Sequence, residues 1–180
     1  MIKSAALLLV VIFILFASSP GVSAQPQRPS EYEVKAAYLL NFLKFVQWPP
    51  FPASGENSIP ICVLGRDPFG DTLDKIVSGQ QIEGKNVVSK RITTPADVDS
   101  CRVLFIDSSE TNRLMSTIAA LDATPVLTVS EIPDFVSQGG IIQFVLKDGR
   151  VRFEINLMRA QRLGLMVSSQ MLNVAAAVRR

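Results

Sequence analysis

The sequence predicts an α/β fold: a mostly parallel mixed sheet with helices on both faces, a Rossmann-like three-layer sandwich with a C-terminal β-hairpin. Three observations carry that expectation. Short, nearly continuous apolar runs begin at Ile59 (I-P-I-C-V-L-G), Cys101 (C-R-V-L-F-I-D) and Pro125 (P-V-L-T-V), the pattern of strands buried on both faces. Helical stretches separate them, as in a doubly wound sheet. Near the end, Lys147-Asp148-Gly149-Arg150 joins two apolar runs in the manner of a hairpin turn.

The elements follow in order. Ser30-Glu31-Tyr32-Glu33 is a capping box, in which the serine caps the third helical amide and Glu33 reaches back. Val34, Ala37, Tyr38, Asn41, Phe42, Phe45 and Val46 keep helical spacing, but Leu39, Leu40 and Leu43 are apolar too, so this helix is buried on more than one side. Either its own domain or a second chain covers it. Trp48-Pro49-Pro50 ends it, because proline cannot continue the hydrogen-bond ladder. Phe42, Phe45 and Trp48 are therefore candidates for a partner surface, with ordinary core as the competing reading.

Ile59 to Gly65 reads as a strand, and Asp67-Pro68 caps a helix over Phe69 to Val77. Val87 to Ile92 and Cys101 to Asp107 are the next strands. Thr111 to Leu121 is helical, Pro125 to Val129 a strand, and Ile132 to Val136 a short helix. Gly139-Gly140 leads into the hairpin strands Ile141 to Leu146 and Val151 to Ile155. Two helices finish the chain, Leu157 to Leu163 and Ser169 to Val178, the second with Arg179 and Arg180 at the favourable end of its dipole.

The N-terminus is an address rather than part of this fold. Lys3 precedes an unbroken apolar run from Ala5 to Ala17, and Val22-Ser23-Ala24 places small residues where signal peptidase cuts. Residues 1–24 are expected to be a cleaved signal peptide and residues 25–180 a single domain, exported to the periplasm. The apolar run falls short of the roughly 18 to 20 residues that cross a bilayer. With Lys3 removed, the 18 basic and 16 acidic residues leave a net charge of +1, far from the basic stripe that nucleic acid requires.

No histidine occurs in the 180 residues, which excludes Ser-His-Asp and Cys-His catalysis and the common histidine zinc sites. No cofactor, no metal and no enzymatic activity are expected. In an oxidising compartment the two cysteines, Cys62 and Cys101, are expected to pair. A bridge closing a loop of about 40 residues stabilises by about 4 kcal/mol on the loop-entropy model, and redox state could act through it.

Three places could carry chemistry. Gly65-Arg66-Asp67-Pro68-Phe69-Gly70 lacks the second glycine of a dinucleotide fingerprint and the Gly-Lys-Ser/Thr of a P-loop, and Asp67 would repel a phosphate. A capped structural turn is the better reading. Asp107, at the carboxyl end of a strand, stands where open α/β sheets place ligand-contacting groups, with a capping loop of Asp and Ser as the plainer account. Ser137, Glu154 and Arg162 form the densest polar placement against apolar strands. Glu154 and an arginine two helical turns on could make an ion pair, or hold a small anion.

Taken together, N-F-L-K-F-V-Q-W-P at the first helix end, I-C-V-L-G with D-P-F-G, C-R-V-L-F-I, V-L-T-V-S, the Gly-Gly strand, F-E-I-N and G-L-M-V-S-S-Q-M-L span nearly the whole exported chain. In order and spacing this resembles the YfiR-like periplasmic proteins of Gram-negative bacteria. The resemblance implies an α/β homodimer that binds the periplasmic sensing domain of an inner-membrane diguanylate cyclase and represses cyclic-di-GMP synthesis, hence biofilm formation. It also implies an outer-membrane lipoprotein that relieves repression by sequestering the repressor. Carried over, Cys62 and Cys101 match a structural disulfide, and Ser137, Glu154 and Arg162 a small polar pocket that would bind a ligand or partner. The chain departs from that pattern in lacking a second cysteine pair and a histidine near the carboxyl end, where Met166 and Ser168 stand; the departure weakens the case for a nucleotide-like ligand.

Overall fold

A computed structural model describes residues 29–50 and 58–180. The expected signal peptide, 1–24, lies outside the described residues. Helix α1 spans Glu31–Phe45, and its capping box forms as the sequence implies, with the Ser30 amide donating to Glu33 and the Glu33 amide donating to Ser30 Oγ. After the two-residue strand β1 (Val46–Gln47) come β2 (Ser58–Leu64), α2 (Asp71–Val77), β3 (Gln81–Ile82), β4 (Lys85–Ile92), β5 (Val103–Ile106), α3 (Leu114–Ala120) and β6 (Leu127–Ser130). The hairpin strands are β7 (Ile142–Lys147) and β8 (Arg150–Asn156). They are followed by α4 (Leu157–Arg162), β9 (Met166–Val167), α5 (Ser169–Val174) and β10 (Ala177–Arg179).

The main sheet runs β10-β8-β7-β6-β5-β2-β4-β3. Its five central strands, β4, β2, β5, β6 and β7, are mutually parallel, and numbered by their own succession they stand in the doubly wound order of flavodoxin-like sheets. Strand alternation divides the interior in two. Ile61 and Val63 of β2, Val103 and Phe105 of β5, and Phe144 and Phe153 of the hairpin face α1, α2 and α5. Cys62 and Leu64, with Leu104 and Ile106, face Leu114 and Ile118 of α3. Leu39, Leu40 and Leu43 of α1 are all buried within this one domain, so no second chain is needed to explain the apolar breadth of that helix.

Several elements differ from the sequence expectation. The last helix ends at Val174, not Val178. Its alanines favour helix, but the Ala176 amide donates to the Phe153 carbonyl at 2.8 Å and draws the chain into β10, parallel to β8. Arg179 is therefore a strand residue, and β10 lies outside the hairpin as the edge of the sheet. Ile132 to Val136 is a series of turns in which Asp134 takes φ 60°, too short a stretch to nucleate a helix. The helix after β2 starts at Asp71, since Asp67 spends its carboxylate on the Phe69 amide at 2.8 Å. Ser108–Arg113 is a 3-10 segment leading into α3. The small ribbon of β1 against β9 and the β3–β4 hairpin carried too few apolar residues to stand out. Gly140 permits a close approach, for an added Cβ would lie 2.1 Å from the Phe135 ring.

Candidate functional site

In a doubly wound sheet, ligands enter where neighbouring strands depart in opposite directions, here above β2 and β5. The chain closes that crevice with its own side chains. Ser109 Oγ accepts from the Arg66 amide at 2.9 Å, and Asp107 accepts from the Ser109 amide at 2.8 Å. A Cβ at Gly65, where φ is 91°, would lie 2.7 Å from Ser109 Oγ. Glu110 is buried beneath and paired with Arg113 at 2.7 Å. The Gly65 turn is thus the structural turn its glycine spacing implies, and Asp107 caps the loop that fills it.

Cys62 and Cys101 are bonded, with Cα atoms 5.9 Å apart. Cys62 sits within β2, opposite Leu104 of β5. Both residues are sealed in the second core, at 0% and 1% exposure.

The three polar positions are only partly brought together. Glu154 is half-buried on β8, opposite Gln143 of β7 and Ala177 of β10. Ser137 is exposed in the loop beside them: the neighbouring Val136 carbonyl accepts from Asn156 Nδ2 at 2.9 Å, and the Val136 amide donates to Gln143. Arg162 lies at the exposed end of α4. No ion pair joins it to Glu154 among the described residues. The buried arginine of that helix is Arg159, which pairs with Asp122 and holds that carboxylate below its ordinary pKa, with the charge of Arg162 adding to the effect.

Of the aromatic candidates, Phe42 belongs to the core at 2% exposure. Its ring packs 5.2 Å from that of Phe153 and 6.1 Å from that of Phe144. Phe45 is exposed, and Trp48 is half-buried with the Arg102 guanidinium 5.8 Å from its ring centroid. The ribbon places Met166 opposite Gln47, and the Ser168 amide donates to the Phe45 carbonyl at 2.9 Å. Phe45 and the exposed Met166 thus share one small end of the molecule.

Sequence reasoning missed two charge clusters. Lys35 is buried on α1 and donates to both Glu31 and Glu131, and Tyr32 donates to Glu131 at 3.1 Å. Burial disfavours the Lys35 ammonium, but its hydrogen bonds to Glu131 and Glu31 outweigh that and lift its pKa above the ordinary 10.5. The Glu31–Lys35 half was visible as an i,i+4 pair; Glu131 needed the fold. The second cluster is Arg91, which ties Asp67 and Asp74 together across β4 and α2 and lowers the pKa of Asp74 through its hydrogen bond.

Lys35→Met should destabilise the protein by about 2 kcal/mol, since it removes the buried partner of two carboxylates that water reaches in part. A group with a raised folded pKa stabilises fully below its unfolded pKa and loses that contribution as pH climbs through the folded value. The gap between native and variant in urea unfolding should therefore hold from neutral pH to about 10 and close above it. A gap under about 1 kcal/mol at pH 7 would assign Lys35 no structural weight.

The filled switch-point crevice and the buried bridge mark a doubly wound α/β domain. The chain matches the family described as YfiR/HmsC-like over residues 32–176, and it belongs to that family. The family is one of periplasmic regulators of diguanylate cyclases rather than of enzymes. Two solved structures share the fold. One is a conserved domain protein from Vibrio cholerae, 14% identical, covering 83% of this chain and 60% of that one with a TM-score of 0.55. The other is an ABC domain in complex with L-Trp from Streptococcus pneumoniae, 12% identical, covering 79% and 60% with a TM-score of 0.54. This chain spans about 60% of the length of each, and at such identities the likeness is one of fold alone.

Proposed function

We propose that this protein is an exported, non-catalytic repressor that binds the periplasmic sensing domain of an inner-membrane diguanylate cyclase and keeps cyclic-di-GMP synthesis low. Family membership across residues 32–176 is the observation that carries the reading. The closed switch-point crevice supports it, because the usual ligand entrance of this fold is filled by Ser109 and Glu110. On this reading residues 1–24 are removed on export, residues 25–180 act as one domain and as a homodimer, and an outer-membrane lipoprotein relieves the repression. A small-ligand sensor built on Ser137, Glu154 and Arg162 is less well supported, since Arg162 stands at an exposed helix end without an ion pair to Glu154.

Deleting the gene in a strain that carries its partner cyclase should raise cyclic-di-GMP and biofilm mass, and expression of the chain in trans should restore both. Unchanged cyclic-di-GMP in the deletion strain would sink the proposal.

A further inference from the structure

Charge is segregated along this chain to a degree that its net value conceals. Positions 141–180 hold seven basic and two acidic residues, net +5, while positions 1–140 hold 11 basic and 14 acidic, net −3. The fold concentrates the basic excess. Strand alternation sends Phe144, Val151, Phe153 and Ile155 into the core under α1 and α5, which leaves the residues between them for the opposite face. There Lys147 stands opposite Arg150, Val145 opposite Arg152, Gln143 opposite Glu154, and Asn156 opposite Arg179 of β10.

Helix α3 packs on this side of the sheet, but its core partners are on β2 and β5, and none of the residues in that second core comes from β7, β8 or β10. The Val136 loop reaches Gln143 and Asn156 at one end of this flank, and the part toward the hairpin turn is open. Lys147, Arg150, Arg152 and Arg179 are exposed, and Val145, Gln143 and Glu154 are half-buried between them. Among the described residues no carboxylate pairs with any of these four cations in an ion pair. Arg152 donates instead to the Val174 carbonyl at 3.2 Å, which holds its guanidinium on the β10 side. Four exposed cations held on rigid strands, against Glu154 on the face and Asp148 in the adjoining turn, leave a net positive field suited to an acidic partner.

We propose that this basic β7–β8–β10 face is the surface that docks the regulatory partner, and that it takes an acidic patch on a folded protein domain. The inference rests on the proposed repressor function and names the part of the molecule that performs it. A protein rather than a lipid surface is favoured by the polar pairing groups among the cations. The Glu154 carboxylate offers acceptors and the Gln143 side-chain NH2 donors that a lattice of anionic headgroups does not need, and no large apolar side chain projects from this face to enter a bilayer. Steering by such a face speeds encounter and makes binding salt-sensitive.

The test uses the exported chain and, as probe, the purified periplasmic domain of the membrane cyclase encoded nearest this gene. Titration calorimetry should show binding that weakens with added salt. Arg150→Glu with Arg152→Glu should weaken it at least tenfold, and so should Lys147→Glu with Arg150→Glu, which disturbs no internal hydrogen bond. Lys85→Glu with Lys90→Glu, an equal charge change at the other end of the sheet, should leave it intact. If the native chain binds and both face variants bind as well, the face is overturned and the repressor reading stands. If the native chain does not bind the domain at all, both fall. Binding to vesicles of phosphatidylglycerol and phosphatidylethanolamine, or self-association, lost on the same reversals in place of cyclase binding would overturn the acidic protein partner in favour of a membrane or a second copy.

Discussion

A chain carrying Cys62→Ala and Cys101→Ala is expected to unfold about 4 kcal/mol more easily than the oxidised protein, the value for releasing a loop of 39 residues. For a domain of this size that corresponds to a fall of about 10 °C in melting temperature. The expectation has a second half, which comes from burial. Cys62 and Cys101 lie at 0% and 1% exposure among Leu64, Leu104, Ile106 and Leu114, so a reductant reaches the sulfurs only when this core opens. Thiol–disulfide exchange needs access as well as a reactive thiolate. Dithiothreitol without denaturant should accordingly leave the bridge oxidised for as long as the native state persists, and reduction should accelerate with urea in step with unfolding. That outcome makes the bridge a staple. Rapid appearance of two thiols under native conditions would make it a switch, and a double variant within about 1 kcal/mol of native would remove its structural role.

What the sequence disclosed about this fold depended on how local the determining forces were. The capping box at Ser30, the Asp67 turn, the strands beginning near Ile59 and Cys101, and the Lys147–Arg150 hairpin are set by neighbours within a few residues, and each could be read directly. The end of the last helix could not. Ala175 to Ala177 favour helix, and only the Phe153 carbonyl, more than twenty residues earlier, turns them into an edge strand. The candidate site divides the same way. The pairing of Cys62 with Cys101 was legible from their count and the expected compartment, but the closure of the Gly65 crevice depends on Ser109 arriving from the loop after β5. Lys35 and Glu131 stand 96 residues apart, and nothing in either segment announces the other. The basic face was latent in the alternation of R-V-R-F-E-I-N, yet whether a helix would cover it is a fact of topology.

The aromatic run at the end of α1 separates core from surface, and two single substitutions should behave oppositely. Phe42→Ala is expected to cost about 4 kcal/mol. It empties a fully packed position whose ring contacts Tyr38, Phe144 and Phe153, and a rigid core collapses only partly around such a void. On the proposed function, any loss of repression in that variant should follow its loss of folded protein. Phe45→Ala, at 37% exposure, should cost under about 1 kcal/mol. The Phe45 carbonyl accepts from the Ser168 amide, and the exposed Met166, opposite Gln47 in the β1–β9 ribbon, lies at the same end of the molecule, so a partner reaching this end would meet both side chains apart from the basic face. Urea unfolding and cyclase-domain binding measured on both variants distinguish the roles. If Phe45→Ala keeps native stability and loses affinity, this end of α1 is a second contact. If it keeps both, the aromatic run serves the fold alone and the docking energy must come from elsewhere on the surface.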